Sequence, residues 1–217
     1  MNTEDHIDSF EPRIGSDESG KGDYFGPLVV AACYVDADTV EKLLLLGVRD
    51  SKRLSDGRAL AIAEDLKVLI PSATVVIGPE RYNALYEKIG NLNRLLAWGH
   101  ARAIENLLGQ VTCDRVVTDQ FGDERFVARA LMEKGRRVVL EQRPRTEDDP
   151  AVAAASILAR AEFLKWLEQL SGKVGIPLPK GAGPSVDQTA RRIITVHGLD
   201  LLRQVAKVHF KTTQKVL

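Results

Sequence analysis

Two adjacent carboxylates stand between a short apolar lead-in and a glycine-rich loop, in Ile14-Gly15-Ser16-Asp17-Glu18-Ser19-Gly20-Lys21-Gly22-Asp23-Tyr24-Phe25-Gly26-Pro27, which opens directly into the apolar run Leu28 to Val35. A strand turns successive side chains to opposite faces, so this pattern predicts one acid inward, the next outward, then a tight turn and a second strand. The simplest pairing is antiparallel. Two familiar glycine motifs are excluded. A P-loop needs Gly-x-x-x-x-Gly-Lys-Ser/Thr and a dinucleotide fingerprint needs Gly-x-Gly-x-x-Gly, whereas Gly22 is followed by Asp23 and the next glycine is Gly26. A lone Asp-Glu pair is ordinarily a solvated turn. The remainder of the chain decides whether this one is.

Downstream, strand and helix patterns alternate. Asp38 to Gly47 has helical spacing, Val48 to Leu54 is a polar connector, and Ser55 or Asp56 can cap a helix that Pro71 stops after Leu69. Ala73 to Ile77 predicts a third strand, Pro79 the first turn of a helix to about Lys88, and Asn93 to Leu108 a further helix. Asp114 to Asp119 is a buried-type strand ending in an acid. After Gln120-Phe121-Gly122 a helix is expected to about Lys134, and Arg137 to Glu141 is the fifth strand, so the alternation points to parallel β-α-β pairing. The acids Glu147, Asp148 and Asp149 precede Pro150 and a helix rich in small residues, a combination that suits a helix N-terminus packed tightly on a sheet. Gly172 to Gly183 reads as a loop, Ser185 and Gln188 as a capping box for a helix to about Val196, and Leu199 as the start of a last helix.

Composition narrows the function classes. The longest apolar stretches, Leu28 to Val35 and Ala151 to Ala159, fall far short of the roughly 18 residues of a membrane span, and Met1 to Asp8 is acidic where a signal peptide is basic. The expectation is a cytoplasmic protein with no membrane partner, acting as a monomer. Cys33 and Cys113 form no C-x-x-C pair and the four histidines have no zinc spacing, so Cys33 is expected to be a buried core thiol. Net charge is zero, but Lys165 to Leu217 holds nine Lys/Arg against three acids, and the rest of the chain is correspondingly acidic. An acidic half with a basic tail suits an enzyme that grips nucleic acid around a cation.

Asp17 and Glu18 on the first strand and Asp119 on the fourth all occupy strand ends, where ligands of open sheets gather. Oxygen donors without histidine or cysteine point to Mg2+ or Mn2+, and paired ions of that kind serve in-line phosphodiester displacement. The residues that extend this reading are Gly15 to Pro27, Asp50-Ser51-Lys52-Arg53-Leu54, Tyr82 to Tyr86 with Asn91 to Asn93, Asp119-Gln120-Phe121, Ala151 to Ile157, Leu178 to Gly181, and His209 to Lys215. In that order they resemble the type 2 ribonucleases H, and specifically the HIII branch.

The resemblance implies an α/β RNase H-like fold, a mixed five-stranded sheet flanked by helices with a helical C-terminal part, and metal-dependent endonucleolytic cleavage of the RNA strand in RNA/DNA hybrids. It implies Asp17, Glu18 and Asp119 as metal ligands. For the fourth catalytic acid, Glu147 fits the HIII pattern although its connector to Ala151 is one residue short, and Asp148 is the fallback. Gly20, Lys21, Gly22, Ser51, Lys52, Lys211 and Lys215 are the expected nucleic-acid contacts. Tyr24, Phe25 and Phe210 can stack on a base or sit in the core. Relatives commonly carry an N-terminal substrate-binding domain, whereas here a flexible stretch, 1–12, leads into a catalytic domain at 13–217, so that domain is expected to be missing. Two alternatives remain: the sister HII type, which cuts at a single ribonucleotide in DNA and whose loop reads Gly-Arg-Gly, and a non-catalytic hybrid-binding protein that keeps the fold.

Overall fold

The computed structural model describes residues 10–48, 54–119, 125–143 and 146–217, apart from the Glu147 side chain. Most of the expected flexible start, the connector bearing Ser51 and Lys52, and Gln120-Phe121-Gly122 lie outside these residues.

Five strands form one mixed sheet: β1 Arg13–Ser19, β2 Leu28–Val35, β3 Ser72–Ile77, β4 Arg115–Asp119 and β5 Val139–Arg143, in the order β3-β2-β1-β4-β5. The glycine loop joins β1 to β2 antiparallel, with Asp17 opposite Ala31. β3 continues antiparallel from β2, while β4 and β5 run parallel to β1. β2 is covered on both faces, which is why it is a continuous apolar run rather than an alternating one. Val29, Ala31, Cys33 and Val35 enter the larger core, and Val30 and Ala32 enter the core on the opposite face. Cys33 is fully buried, as expected.

The helices follow in chain order: α1 Ala37–Leu45, α2 Asp56–Leu69, α3 Pro79–Ile89, α4 Leu92–Leu107, α5 Arg125–Ala130, α6 Pro150–Val174, α7 Pro184–His197, α8 Leu199–Val205 and α9 Lys211–Val216. Helix α4 lies on one face of the sheet and α6 on the other, each crossing β1 and β2. Ser55 caps α2 and Asn91 caps α4 through their side-chain oxygens.

Helix α6 positions everything near it. Asp149 is its N-cap: Oδ1 accepts from the amides of Ala151 and Val152 at 3.0 and 3.4 Å. Its Oδ2 meets Arg13 on β1 at 3.2 Å and Arg143 on β5 at 3.4 Å. Asp149 is thereby engaged in joining the helix to two strands. Ala151, Ala153, Ala154 and Ala155 are buried, and their small size lets the helix axis approach the sheet. The approach is closest at Gly15, where a Cβ would lie 2.2 Å from the Ala151 carbonyl carbon and from the Val152 nitrogen.

Five local expectations are corrected. Helix α5 ends at Ala130 rather than near Lys134, because Glu105 of α4 accepts from the amides of Lys134 and Gly135, both at 2.8 Å, and draws the chain into a short 3-10 turn. The fifth strand accordingly starts at Val139. Helix α6 runs through Gly172 to Val174 and ends on the left-handed Gly175, so the following loop is shorter than the glycine content implies. Ser185 forms no capping box, since Pro184 takes the first helical position and Gly183 is the cap. The helix from Leu199 is not the last, since α9 follows it with Thr212 buried.

The Gly15 contact generates a test. Gly15→Ala is expected to lose about 3 kcal/mol of stability, because the added methyl meets backbone that has no rotamer to yield. A urea melt showing an unchanged midpoint would contradict it.

Candidate active site

The alternation of β1 divides its side chains between the two helices. Gly15 and Asp17 face α6, and Ser16 and Glu18 face α4. Asp17 Oδ1 accepts from the Glu18 amide at 2.8 Å, and the Ser156 hydroxyl of α6 also bonds to Asp17. In the parallel register Ser16 is level with Thr118, which leaves Asp17 and Asp119 each one residue beyond, at the carboxyl ends of neighbouring strands. Thr146, buried just before α6, donates to Asp119 Oδ1 at 3.4 Å.

Glu18 reaches the other way. Its Oε2 is 3.1 Å from His100 Nε2 of α4, and its Oε1 is 3.3 Å from Lys21 Nζ in the loop. Burial alone would raise the Glu18 carboxyl, but the hydrogen bond and charge of His100, with those of Lys21, outweigh it and hold Glu18 below the usual range. On Asp17 the charge of His100 is the weakest of the influences that lower it. Burial first, and the charge of Glu18 second, push its carboxyl up to about 6. Neighbouring acids in one site are thus driven apart in acidity by the helix that each faces.

The loop is built by the C-terminal part of the chain. Gly20 turns it at φ 85°, where a side chain would also strike the Pro27 carbonyl at 2.1 Å. Phe25 forms an antiparallel bridge with Ala206; the Gly26 amide donates to Val205 and the Lys207 amide to Tyr24. Asp23 Oδ1 accepts from the Gly181 amide at 2.6 Å, and the Tyr24 amide donates to the Gly181 carbonyl. Tyr24 and Thr213 of α9 join hydroxyl to hydroxyl at 3.0 Å. The motifs at 178–181 and 209–215 are therefore brought against Gly20-Lys21-Gly22.

Tyr24 and Phe25 are fully buried, which makes them core aromatics rather than stacking platforms, and Phe210 packs edge-on against Tyr24. Lys21 and Gly22 remain at the surface of the loop. Lys211 is exposed, while Lys215 has Asp187 at 3.7 Å. The basic excess of the C-terminal part is not one free face: Lys165 pairs with Glu64, and Lys180 with Asp56, both at 2.5 Å. Ser51, Lys52 and the side chain of Glu147 lie outside the described residues; Asp148 is exposed.

Three functional side chains escape the sequence reading. His100 sits in the apolar stripe of α4 with Leu96, Ala103 and Leu107, so its spacing signals only burial. Thr146 carries no motif of its own. Lys207 is fully buried, with Nζ at 3.5, 2.6 and 3.4 Å from the carbonyls of Phe25, Gly26 and Pro27. Burial pulls its ammonium down to about 7 against the opposing charge of Asp23. Its sequence signal is a lysine flanked by Ala206 and Val208.

The donor set suits a hard divalent cation. Asp17, Glu18 and Asp119 offer carboxylate oxygens, the histidine nearby is occupied with Glu18, and burial with the charge of Glu18 raises the Asp17 carboxyl. Among the described residues no three acid, histidine or cysteine side chains close into a coordination shell. Each acid instead leans on its own donor.

The chain matches the model of the family described as ribonuclease HII over residues 14–213. It is 49% identical over 206 residues to the ribonuclease HIII of Protochlamydia amoebophila, an alignment covering 95% of this chain and 68% of that protein. With the ribonuclease HIII of Chlamydia pneumoniae it shares 42% identity, covering 94% and 70%. The crystal structure of Bst-RNase HIII in complex with Mn2+ superposes with a TM-score of 0.88 at 39% identity, over 94% of this chain and 68% of that one. The mixed sheet, the acid-bearing strand ends and these similarities converge: the chain belongs to the ribonuclease HII family, within its ribonuclease HIII branch.

Proposed function

We propose that Asp17, Glu18 and Asp119 hold Mg2+ or Mn2+ and that this ribonuclease H hydrolyses the RNA strand of RNA/DNA hybrids at that site. The observation that carries the assignment is the placement of Asp17 and Asp119 at the carboxyl ends of adjacent parallel strands, with Glu18 and the glycine loop alongside. A related HIII structure contains Mn2+, which supports the same ion class here. When bound, the ions supply charge neutralisation at phosphorus and activation of water for in-line displacement.

The chain's own groups do the rest. Lys21 and the backbone amides around Gly20 and Gly22 face the place where a phosphate and its neighbouring 2′-hydroxyl would lie, the group that separates RNA from DNA. Ser156 and Thr146 keep Asp17 and Asp119 from rotating away, so the acids meet the substrate pre-oriented. Glu147 is assigned as the fourth acid over Asp148, on its fit to the HIII pattern; Asp149 is excluded because both of its oxygens are engaged in capping and ion pairing. Ser51, Lys52, Lys211 and Lys215 complete the proposed grip on the hybrid. Residues 13–217 act as one catalytic unit, a cytoplasmic monomer working where hybrids arise.

Asp17→Asn and Asp119→Asn are expected to abolish hybrid cleavage while the fold persists. Glu147→Gln should lower the rate by about 10²-fold or more and Asp148→Asn should leave it near wild type, the scale expected of a general acid–base or electrostatic group. Steady-state cleavage of a labelled hybrid decides between them: a crippled Asp148→Asn beside a normal Glu147→Gln would move the assignment by one residue.

The loop also sets what is cut. Arginine's planar fork holds two oxygens in fixed geometry, whereas Lys21 is a mobile point charge and is less exacting about a single junction. Cleavage is therefore expected at several positions within a run of ribonucleotides, with poor activity on one ribonucleotide in duplex DNA. A gel comparing both substrates in Mg2+ and in Mn2+ tests this; efficient cutting at the lone ribonucleotide in both metals would overturn it.

The raised Asp17 carboxyl predicts a pH dependence. Its folded value of about 6 lies above the ordinary aspartate value of about 3.9, so the folded state holds the proton more tightly and stability falls as pH rises from about 4 through about 6. A shift of that size corresponds to up to about 3 kcal/mol. In chelator at pH 8, Asp17→Asn should melt higher than wild type, and near pH 4 the two should coincide. Mn2+ should raise the wild-type melting temperature more at pH 8 than at pH 5. Equal melting of both proteins at pH 8 would contradict the electrostatic reading.

A further inference from the structure

We propose that His100 is a positioning residue of the active site, fixing the Glu18 carboxylate from inside the sheet so that one oxygen is committed to the protein and the other faces the loop. The inference rests on the reading of Glu18 as a metal-binding acid. His100 is fully buried in α4, which keeps it from touching a substrate directly. An ionised carboxylate only accepts, so Nε2 carries the proton and donates to Glu18 Oε2 at 3.1 Å. Nδ1, on the other side of the ring, lies 2.9 Å from the buried Ser16 hydroxyl, and the buried Thr118 hydroxyl stands at 3.4 Å. The imidazole is thereby held at both nitrogens in a chain running Ser16 to His100 to Glu18.

The chain has a simple origin in the sheet. Ser16 and Glu18 are alternate residues of β1, and Thr118 is the register partner of Ser16 on β4, so one imidazole meets three side chains on a single face spanning two strands. Turning Glu18 away would leave a buried N–H unpaired, which makes the observed rotamer strongly preferred. Oε1 stays toward Lys21, 3.3 Å away, on the side of the loop. Hydrogen bonds of this kind, one layer behind a metal ligand, typically change metal affinity or activity by about 10–100-fold when lost.

The test uses two substitutions that divide the imidazole between them. Glutamine can place its amide nitrogen where Nε2 stands and still donate to Glu18, whereas asparagine reaches only toward Ser16. His100→Asn is expected to lower kcat by about 10–100-fold, to leave KM for the hybrid within about twofold, and to raise the Mn2+ concentration for half-maximal activity. His100→Gln should restore most of that loss. Independently of turnover, calorimetric titration of Mn2+ into the substrate-free protein should show about tenfold or weaker binding for His100→Asn and near-normal binding for His100→Gln, with wild type and Glu18→Gln as references. Equal losses in the two variants, tracking their melting temperatures, would show that His100 merely fills the core and would overturn the proposal; so would wild-type kcat and Mn2+ affinity in His100→Asn. If wild type itself failed to cleave hybrid, the ribonuclease reading would fall, and the Mn2+ titrations would still decide whether His100 sets Glu18.

Discussion

The contact between the backbone of β1 at Gly15 and the first turn of α6 is the constraint on which the site depends. It fixes the height of the helix over the sheet, and because Asp17 lies two residues along the same face, it also fixes the distance from Asp17 to Ser156. The same turn begins at Asp149, whose carboxylate holds Arg13 on β1 and Arg143 on β5. Thr146, three residues earlier, secures Asp119. One helix N-terminus thus aligns both strand-end acids on its face, through a cap, two ion pairs and one hydroxyl. A methyl group on Gly15 would act on all of these together.

The C-terminal part serves the site as scaffold before it serves as grip. Residues 205–207 bridge to 24–26, Gly181 takes Asp23 and Tyr24, and α9 meets Tyr24 through Thr213. Lys207 adds a buried cation to three consecutive loop carbonyls. A buried ammonium without a carboxylate partner is unfavourable unless its protons are all engaged, and the carbonyls of Phe25, Gly26 and Pro27 provide that engagement. The loop is consequently rigid on the side facing the protein. The stretch around Lys21 and Gly22 lies at the loop's surface, the part that would meet a phosphate in the proposed function.

Much of this was legible in the residues because the signals are local. The β1–loop–β2 hairpin, the Ser55 cap, and the Pro79 and Pro150 helix starts each follow from a short pattern, and the structure has all of them. The failures share a cause, which is that a distant group decided a local question. Glu105 ended α5 from thirty residues away by taking two of its following amides, and Pro184 displaced Ser185 as the organiser of α7. The same holds in the site. Asp17, Glu18 and Asp119 announce themselves at strand ends, but His100, Thr146 and Lys207 acquire their meaning only from the side chains and carbonyls that folding brings to them. The basic tail shows the converse: a charge count suggested one cationic face, and pairing with Glu64, Asp56 and Asp187 disperses it.

Strand alternation also explains how three acids can share one edge without a cation between each pair. Glu18 faces α4, where His100 and Lys21 lower its carboxyl, so its charge is stabilised inside the protein. Asp17 faces α6, where Ser156 and the Glu18 amide offer hydrogen bonds but no full charge, and burial prevails. Asp119 stands on the same side as Asp17 and accepts from the Thr146 hydroxyl. Glu18 thus has His100 and Lys21 in direct contact, whereas the charge of His100 reaches Asp17 without a hydrogen bond. Under the proposed assignment, a divalent ion at this edge would meet Asp17 and Asp119 on the α6 face and Glu18 through Oε1. The sheet thus separates the contacts of Asp149 and His100, which lie behind the site, from the carboxylate oxygens proposed to meet the ion.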